Sequence, residues 1–231
     1  MYSPRWSAES DLKVVFLGPS GGGKTSLLSR LKYESFTLEV PTTVGADVHR
    51  CEVSLEDRNV SLEVWDTAGQ DKYRSLSDSF YRGAGLCLLV FALDDLDSLS
   101  RLDSWVEELC LLVGVPSLEQ LRTRLSLAVV GNKCDLQDRP LAVEVAAKKW
   151  CKEHGGLSLF LVSALSGENM DDMIAKTVEA ALFVRRCVSE ISFTAGSQLD
   201  DSPRLIPASV RPQRSSSQSR SFCPKPQCIL L

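Results

Sequence analysis

With 231 residues, the chain is long enough for one substantial domain with extensions and too short for two full ones. Apolar residues make up 44% and charged residues 24%, the balance of a folded globular protein, which excludes global disorder. A net charge of −4 excludes a chain that is basic throughout, and no nucleic-acid partner is expected.

Met1–Asp11 reads as a polar extension; it has no apolar segment and so no signal-peptide character. Leu12–Leu17 is mostly apolar with β-branched members, as in a buried strand. Gly18-Pro19-Ser20-Gly21-Gly22-Gly23-Lys24-Thr25 follows and matches G-x-x-x-x-G-K-[ST] at every fixed position. Ser26 opens a stretch in which Leu27, Leu28 and Leu31 recur at helical spacing. Strand, glycine loop and helix in this order form a P-loop. Its glycines let backbone N–H groups turn inward around a phosphate, and the helix N-terminus adds a favourable dipole. Lys24 would supply a point charge to the outer phosphates, and the Thr25 hydroxyl would bind Mg²⁺. The chain is therefore expected to bind a nucleoside phosphate.

Glu34–Asp47 has no clean period and reads as a loop. Cys51–Leu55 and Val60–Val64 alternate strictly and predict a β-hairpin turning at Glu56–Asn59. Leu86–Leu93 reads as a buried strand, far too short to span a bilayer. Leu99, Leu102, Trp105, Val106, Leu109 and Val113 predict one helix, broken at Gly114-Val115-Pro116. Leu125–Val130 predicts a strand, Val143 to Cys151 a helix, Leu157–Val162 a last strand and Met170 to Leu182 a last helix. Strands alternating with helices give an α/β fold with a mostly parallel sheet, helices on both faces and one antiparallel strand from the hairpin. Ligands of such sheets sit at the carboxyl ends of the strands. The polar motifs Gly18–Thr25, Asp66–Gln70, Asn132–Asp135 and Ser163-Ala164 each follow a strand directly. The eight cysteines show no framework spacing, and the expectation is a reduced, cytosolic protein.

Gly18–Thr25, Thr43, Trp65–Gln70, Asn132-Lys133-Cys134-Asp135 and Ser163-Ala164, in this order and spacing, resemble the small GTPases of the Ras superfamily over roughly Leu12 to Arg186. That resemblance implies a six-stranded sheet and a GTP/GDP site formed by Ser20, Gly21, Gly22, Gly23, Lys24, Thr25, Ser26, Thr43, Gly69, Asn132, Lys133, Asp135, Ser163 and Ala164. A carboxylate at Asp135 can accept two N–H bonds from guanine that adenine cannot offer, and unpaired buried groups penalise the wrong base. By resemblance, Asn132 and the Ala164 backbone contact the oxygen side of the guanine, and the Lys133 stem packs along the base. Asp66 is the implied carboxylate behind Mg²⁺, with Thr25 and Thr43 as hydroxyl ligands. Thr42 is the rival of Thr43, which fits better because Thr43-Val44-Gly45-Ala46-Asp47 matches a Rab pattern. Gly69 would leave room for the terminal phosphate, and Gln70 would act as the catalytic residue by orienting the attacking water. An arginine to speed hydrolysis is expected from a partner rather than from Arg74.

Trp65–Gln70, Phe80–Ala84 and the Thr43 run resemble the Rab branch, and Leu102–Trp105 with Trp150-Cys151 resemble its late-endosomal and lysosomal members. The chain departs from the pattern at Pro19, Gly22, Asp71-Lys72-Tyr73 and Leu165, none of which removes a phosphate or metal ligand. Residues 188–231 read as a flexible tail rich in Ser, Pro and Arg beyond a GTPase domain at 12–187. The tail ends Cys228-Ile229-Leu230-Leu231, a C-a-a-X box whose leucine favours geranylgeranyl on Cys228. A single lipid anchors only marginally; the second signal would be the basic tail or a lipid on Cys223. The resemblance implies a switch held at the cytoplasmic face of intracellular membranes, late endosome or lysosome among them, and regulating vesicle traffic. Its implied partners are an exchange factor, an activating protein, effectors, a dissociation inhibitor and the prenylation machinery. The rival readings are a GTP-binding interaction module with negligible hydrolysis and a P-loop ATPase or kinase, against which Asn132–Asp135 speaks.

Overall fold

The computed structural model describes residues 11–36, 43, 46–55, 58–67 and 81–196, the side chains of 46 and 190–196 excepted. In β1 (Leu12–Leu17) every residue but Lys13 is buried, the signature of a strand covered on both faces. It lies between β3 (Arg58–Thr67) and β4 (Leu86–Ala92), parallel to both. The six-stranded sheet has the order β2-β3-β1-β4-β5-β6, with β2 (Ala46–Leu55) at one edge. Beyond β4 come β5 (Ser126–Asn132) and β6 (Ser158–Leu161), both parallel. Only the β2–β3 pair is antiparallel among the described strands.

Side chains alternate across β1 and divide the core in two. Val14 and Phe16 pack with Leu27 and Leu28 of α1 (Lys24–Tyr33) and with Met173, Ile174 and Val178 of α6 (Met170–Gly196). Val15 and Leu17 face the other way, toward Trp105 of α3 (Leu102–Val113) and Val143 and Trp150 of α5 (Leu141–Glu153). Helices therefore cover both faces, as the alternating pattern predicts. The first and second halves of the sheet are wound out from β1 in opposite directions, which opens a crevice at its carboxyl end.

Element bounds differ from the sequence reading where local chemistry overrides periodicity. The Leu99–Val113 pattern is two helices, α2 (Leu96–Ser100) and α3, joined at Arg101. Arg101 keeps helical angles (φ −70, ψ −14), so the apolar spacing carries across the joint and hides it. Asp95 caps α2 by accepting from the Asp97 N–H at 3.0 Å. A short α4 (Leu118–Arg122) lies where no helix is read; its local signals are the cap, Ser117 accepting from Gln120 N–H at 3.4 Å, with Glu119 in the first turn and Arg122 in the last. In the hairpin the ladder runs to Leu55↔Arg58, so Arg58 and Asn59 belong to β3 and not to the turn. At the other end β2 begins at Ala46, inside the stretch read as loop. The last helix continues to Gly196, beyond Cys187, where the sequence reading closes the domain.

Candidate functional site

The carboxyl end of β1 runs into a loop that only glycine can make. Gly18 has φ 137, and a Cβ there would lie 2.0 Å from the Val90 carbonyl oxygen of β4. Gly23 has φ 87, and its Cβ would meet Asn132 Nδ2 at 2.2 Å. The loop thus needs glycine at both ends, one for the strand behind it and one for the base-side loop beside it. Lys24 follows as the first residue of α1 and is almost fully buried. Its Nζ donates to the carbonyls of Gly18 (2.8 Å) and Pro19 (3.0 Å), which spans the concavity of the loop. Burial pulls the Lys24 ammonium down to about 8, and the Asp66 carboxylate opposes that shift.

Beside Lys24, three oxygen-bearing side chains converge from separate parts of the chain. The Thr25 hydroxyl donates to Asp66 Oδ2 at 2.5 Å and lies 2.9 Å from the Thr43 hydroxyl. Thr43 in turn donates to the same Asp66 oxygen at 3.3 Å. Asp66 comes from the end of β3, where it pairs in register with Phe16, and the neighbouring Thr67 hydroxyl ties the two strands by donating to Phe16 O at 2.7 Å. Burial raises the Asp66 carboxyl above the usual range, opposed first by the Thr25 hydrogen bond and then by Lys24, Thr43 and His49. Its Oδ1 is buried with no hydrogen-bond partner among the described residues. A buried orphaned carboxylate oxygen with two hydroxyls beside it is a donor set for a small hard cation such as Mg²⁺.

The base-side loops meet at Asn132, the last residue of β5. Its Nδ2 donates to Gly22 O at 3.1 Å, while its Oδ1 accepts from Lys133 N–H (2.8 Å) and Ala164 N–H (3.1 Å). Every polar atom of this buried side chain is therefore engaged in joining the phosphate loop to the two loops after β5 and β6. Ser163 donates through its hydroxyl to Asp135 Oδ1, and Cys134 N–H bonds to Val162 O at 3.0 Å. Lys133, in the left-handed region at φ 71, reaches across to both carboxylate oxygens of Asp94 at 2.9 Å.

Of the residues singled out in the sequence, Ser20, Gly21, Gly22 and Gly23 lie in the loop after β1, Lys24, Thr25 and Ser26 in the first turn of α1, Thr43 between α1 and β2, Asp66 near the end of β3, Asn132, Lys133 and Asp135 at and after the end of β5, and Ser163 and Ala164 after β6. Thr42, Gly69, Gln70, Cys223 and Cys228 lie outside the described residues. Sequence reasoning missed Asp94, which the adjacent ends of β4 and β5 bring under Lys133, and Arg30, whose carbonyl contacts are taken up below. An aspartate after a strand and an arginine on a helix carry no distinguishing pattern by themselves.

A strand–glycine loop–helix with a buried lysine, a carboxylate from the neighbouring strand and a second pair of loops fastened to its flank defines a nucleotide-binding protein of the P-loop class. Residues 13–183 match the Ras family. The chain is 40% identical to the Ras-related protein Rab-7a of Paramecium octaurelia over 169 residues, covering 73% of this chain and 80% of that one. It is 39% identical to the Ras-related protein Rab7 of Prunus armeniaca over 173 residues, 74% and 82% of the two chains. The figure is 38% for the Ras-related protein RABG3f of Arabidopsis thaliana over the same length and shares. This chain belongs to the Ras family of small GTPases and is a Rab-type member of the Rab7 group. As such it binds guanine nucleotide, hydrolyses GTP and acts as a molecular switch in vesicle traffic, with regulators and effectors of the general kind that Rab proteins have.

Proposed function

We propose that the switch works with Mg²⁺, held by Thr25 and by Thr43 with Asp66 behind it, and that guanine is read by Asp135 from below the loop at Ser163-Ala164. The observation that carries the reading is the meeting of Thr25 and Thr43 at one oxygen of Asp66, whose other oxygen is buried with no partner among the described residues. When bound, Mg²⁺ would neutralise charge on the outer phosphate oxygens. Lys24 would turn from the Gly18 and Pro19 carbonyls to the phosphates, whose negative charge would offset the burial that now lowers the pKa of its ammonium. Thr43 stands in the segment between α1 and β2, so its bond to this centre would tie that segment down in one nucleotide state and release it in the other. Gln70 would orient the attacking water, with Gly69 giving the terminal phosphate room. On the base side, Asn132 holds Lys133 and Ala164 in place, and Lys133 is steered by Asp94 rather than left free to wander.

The same reading assigns residues 12–187 to the GTPase domain, between the extension at 1–11 and the tail at 188–231. It places the protein on cytoplasmic membrane faces of the late endosomal system, anchored through a geranylgeranyl group on Cys228. No helix among the described residues is long and apolar enough to cross a membrane. An exchange factor, an activating protein, effectors, a dissociation inhibitor and prenylation enzymes would act on it through the segments at 34–47 and 67–79 and through the tail. The test of the base reader is Asp135→Asn, with nucleotide affinities measured by competition. The expected outcome is a shift from guanosine toward xanthosine diphosphate; unchanged guanine preference would contradict the assignment.

A further inference from the structure

One guanidinium in α1 holds three backbone carbonyls that belong to two different parts of the site. Arg30 Nε donates to Ala164 O at 2.8 Å, and its Nη2 donates to Leu165 O. Its Nη1 donates to Glu34 O at 2.7 Å. Glu34 is the left-handed C-cap of α1 (φ 52), from which the chain departs toward Thr43. The stem of Arg30 lies under the same base-side loop, its Cδ 3.9 Å from where a Cβ on Gly167 would stand.

The loop is thus gripped from opposite sides. Its Ala164 N–H faces inward to Asn132 Oδ1, while its Ala164 and Leu165 carbonyls face outward to Arg30. Fixing the Ala164 and Leu165 carbonyls against α1 fixes the peptide planes that follow these two residues, and with them the path of the loop on the base side. The fork geometry matters: a planar guanidinium can serve three acceptors at set angles, and an ammonium in its place cannot. Carbonyls bonded to a charged donor are held more firmly than neutral pairs hold them. The helix that begins at the phosphate loop therefore also carries the brace for the base loop and for the start of the Thr43 segment.

We propose that Arg30 is a positioning residue for guanine recognition: it holds the Ala164–Leu165 peptide of the base-side loop at the oxygen side of the base and thereby slows nucleotide release. The proposal rests on the base-side reading of Ala164 given above. Removing Arg30 loosens the loop at its outer grip only, leaving the Asn132 and Asp135 bonds in place. The loss then falls on the contact to the base oxygen more than on the phosphates or the sugar. A bare structural strut would weaken all purine nucleotides alike.

The experiment measures release and affinity of GDP and of 6-thioguanosine diphosphate, which keeps the N1–H and 2-amino group and puts a weakly accepting sulfur in place of the guanine oxygen, for wild type, Arg30→Ala and Arg30→Lys. Circular dichroism melting confirms that each variant is folded. Arg30→Ala is expected to release GDP about tenfold faster, the scale of losing a charged hydrogen bond. Its preference for GDP over the thio nucleotide should shrink by about threefold or more, and Arg30→Lys should recover little of either. Unchanged GDP release, equal weakening of both nucleotides, or full rescue by lysine would each overturn the proposal. Lack of discrimination between the two nucleotides already in the wild type would instead overturn the base-side reading of Ala164 and take the proposal with it.

Discussion

At Asp66 one carboxylate oxygen accepts from two threonine hydroxyls while the other is buried and has no partner among the described residues. Such an arrangement costs free energy in isolation, because a desolvated carboxylate oxygen without a donor loses its water and gains nothing. A bound cation removes that cost. Asp66→Asn keeps the shape and removes the charge, so its stability should change little while its affinity for Mg²⁺ in the nucleotide complex falls about 10- to 100-fold. Titrating Mg²⁺ against the rate of nucleotide release measures this; an unaltered Mg²⁺ dependence would contradict the metal assignment. Single residues were also the most legible scale in the sequence. Lys24, Thr25, Asp66, Asn132 and Asp135 each sit in a fixed spacing after a strand, and spacing survives folding unchanged. Arg30 and Asp94 were not legible, because each acts on a distant segment through bonds that only the folded sheet and helices create.

Between elements, the face of the sheet opposite α1 and α6 is closed by α3 and α5, and a small polar cluster fastens these two helices. Trp150 Nε1 donates to Asp103 Oδ1 at 2.9 Å, and His154 Nε2 lies 3.0 Å from the same oxygen. The His154 ring stacks on Trp150 with centroids 3.8 Å apart. Asp103→Ala would leave a largely buried indole N–H without its acceptor and should cost about 1 kcal/mol. For a domain of this size that is a fall of about 2–4 °C in Tm. Lys148→Ala, which removes only the exposed pair with Glu144 one helical turn away, should stay within about 0.5 kcal/mol. Thermal melting of both variants checks the contrast; equal effects would contradict the fastening role of Asp103. At this scale the apolar spacing read the strands well and the helix joints poorly. The break at Arg101 is invisible to periodicity because its backbone stays helical, and α4 is too short at Leu118–Arg122 to establish a period. The early start of β2 was equally hidden, since Asp47 and His49 are polar residues paired across an edge strand.

Over the whole molecule, the outward winding of the sheet from β1 puts the phosphate loop, the Asp66 carboxylate and the base-side loops on one rim. Asn132 and Arg30 then fasten that rim internally, one from the strand side and one from α1. The parallel sheet was readable as soon as strands were seen to alternate with helices, and the position of the rim follows from it. What a linear reading could not supply was the fastening, since hydrogen bonds between loops far apart in the chain leave no local pattern. The central claim is that this rim binds guanine nucleotide with Mg²⁺ and hydrolyses GTP slowly as a switch. The most direct measurement is single-turnover hydrolysis by the purified chain, wild type beside Gln70→Leu, with the co-purifying nucleotide identified by chromatography. The account predicts bound guanine nucleotide and slow, Mg²⁺-dependent hydrolysis that Gln70→Leu suppresses about tenfold or more. Bound adenine nucleotide, or guanine nucleotide that is never hydrolysed even with an activating protein present, would contradict it.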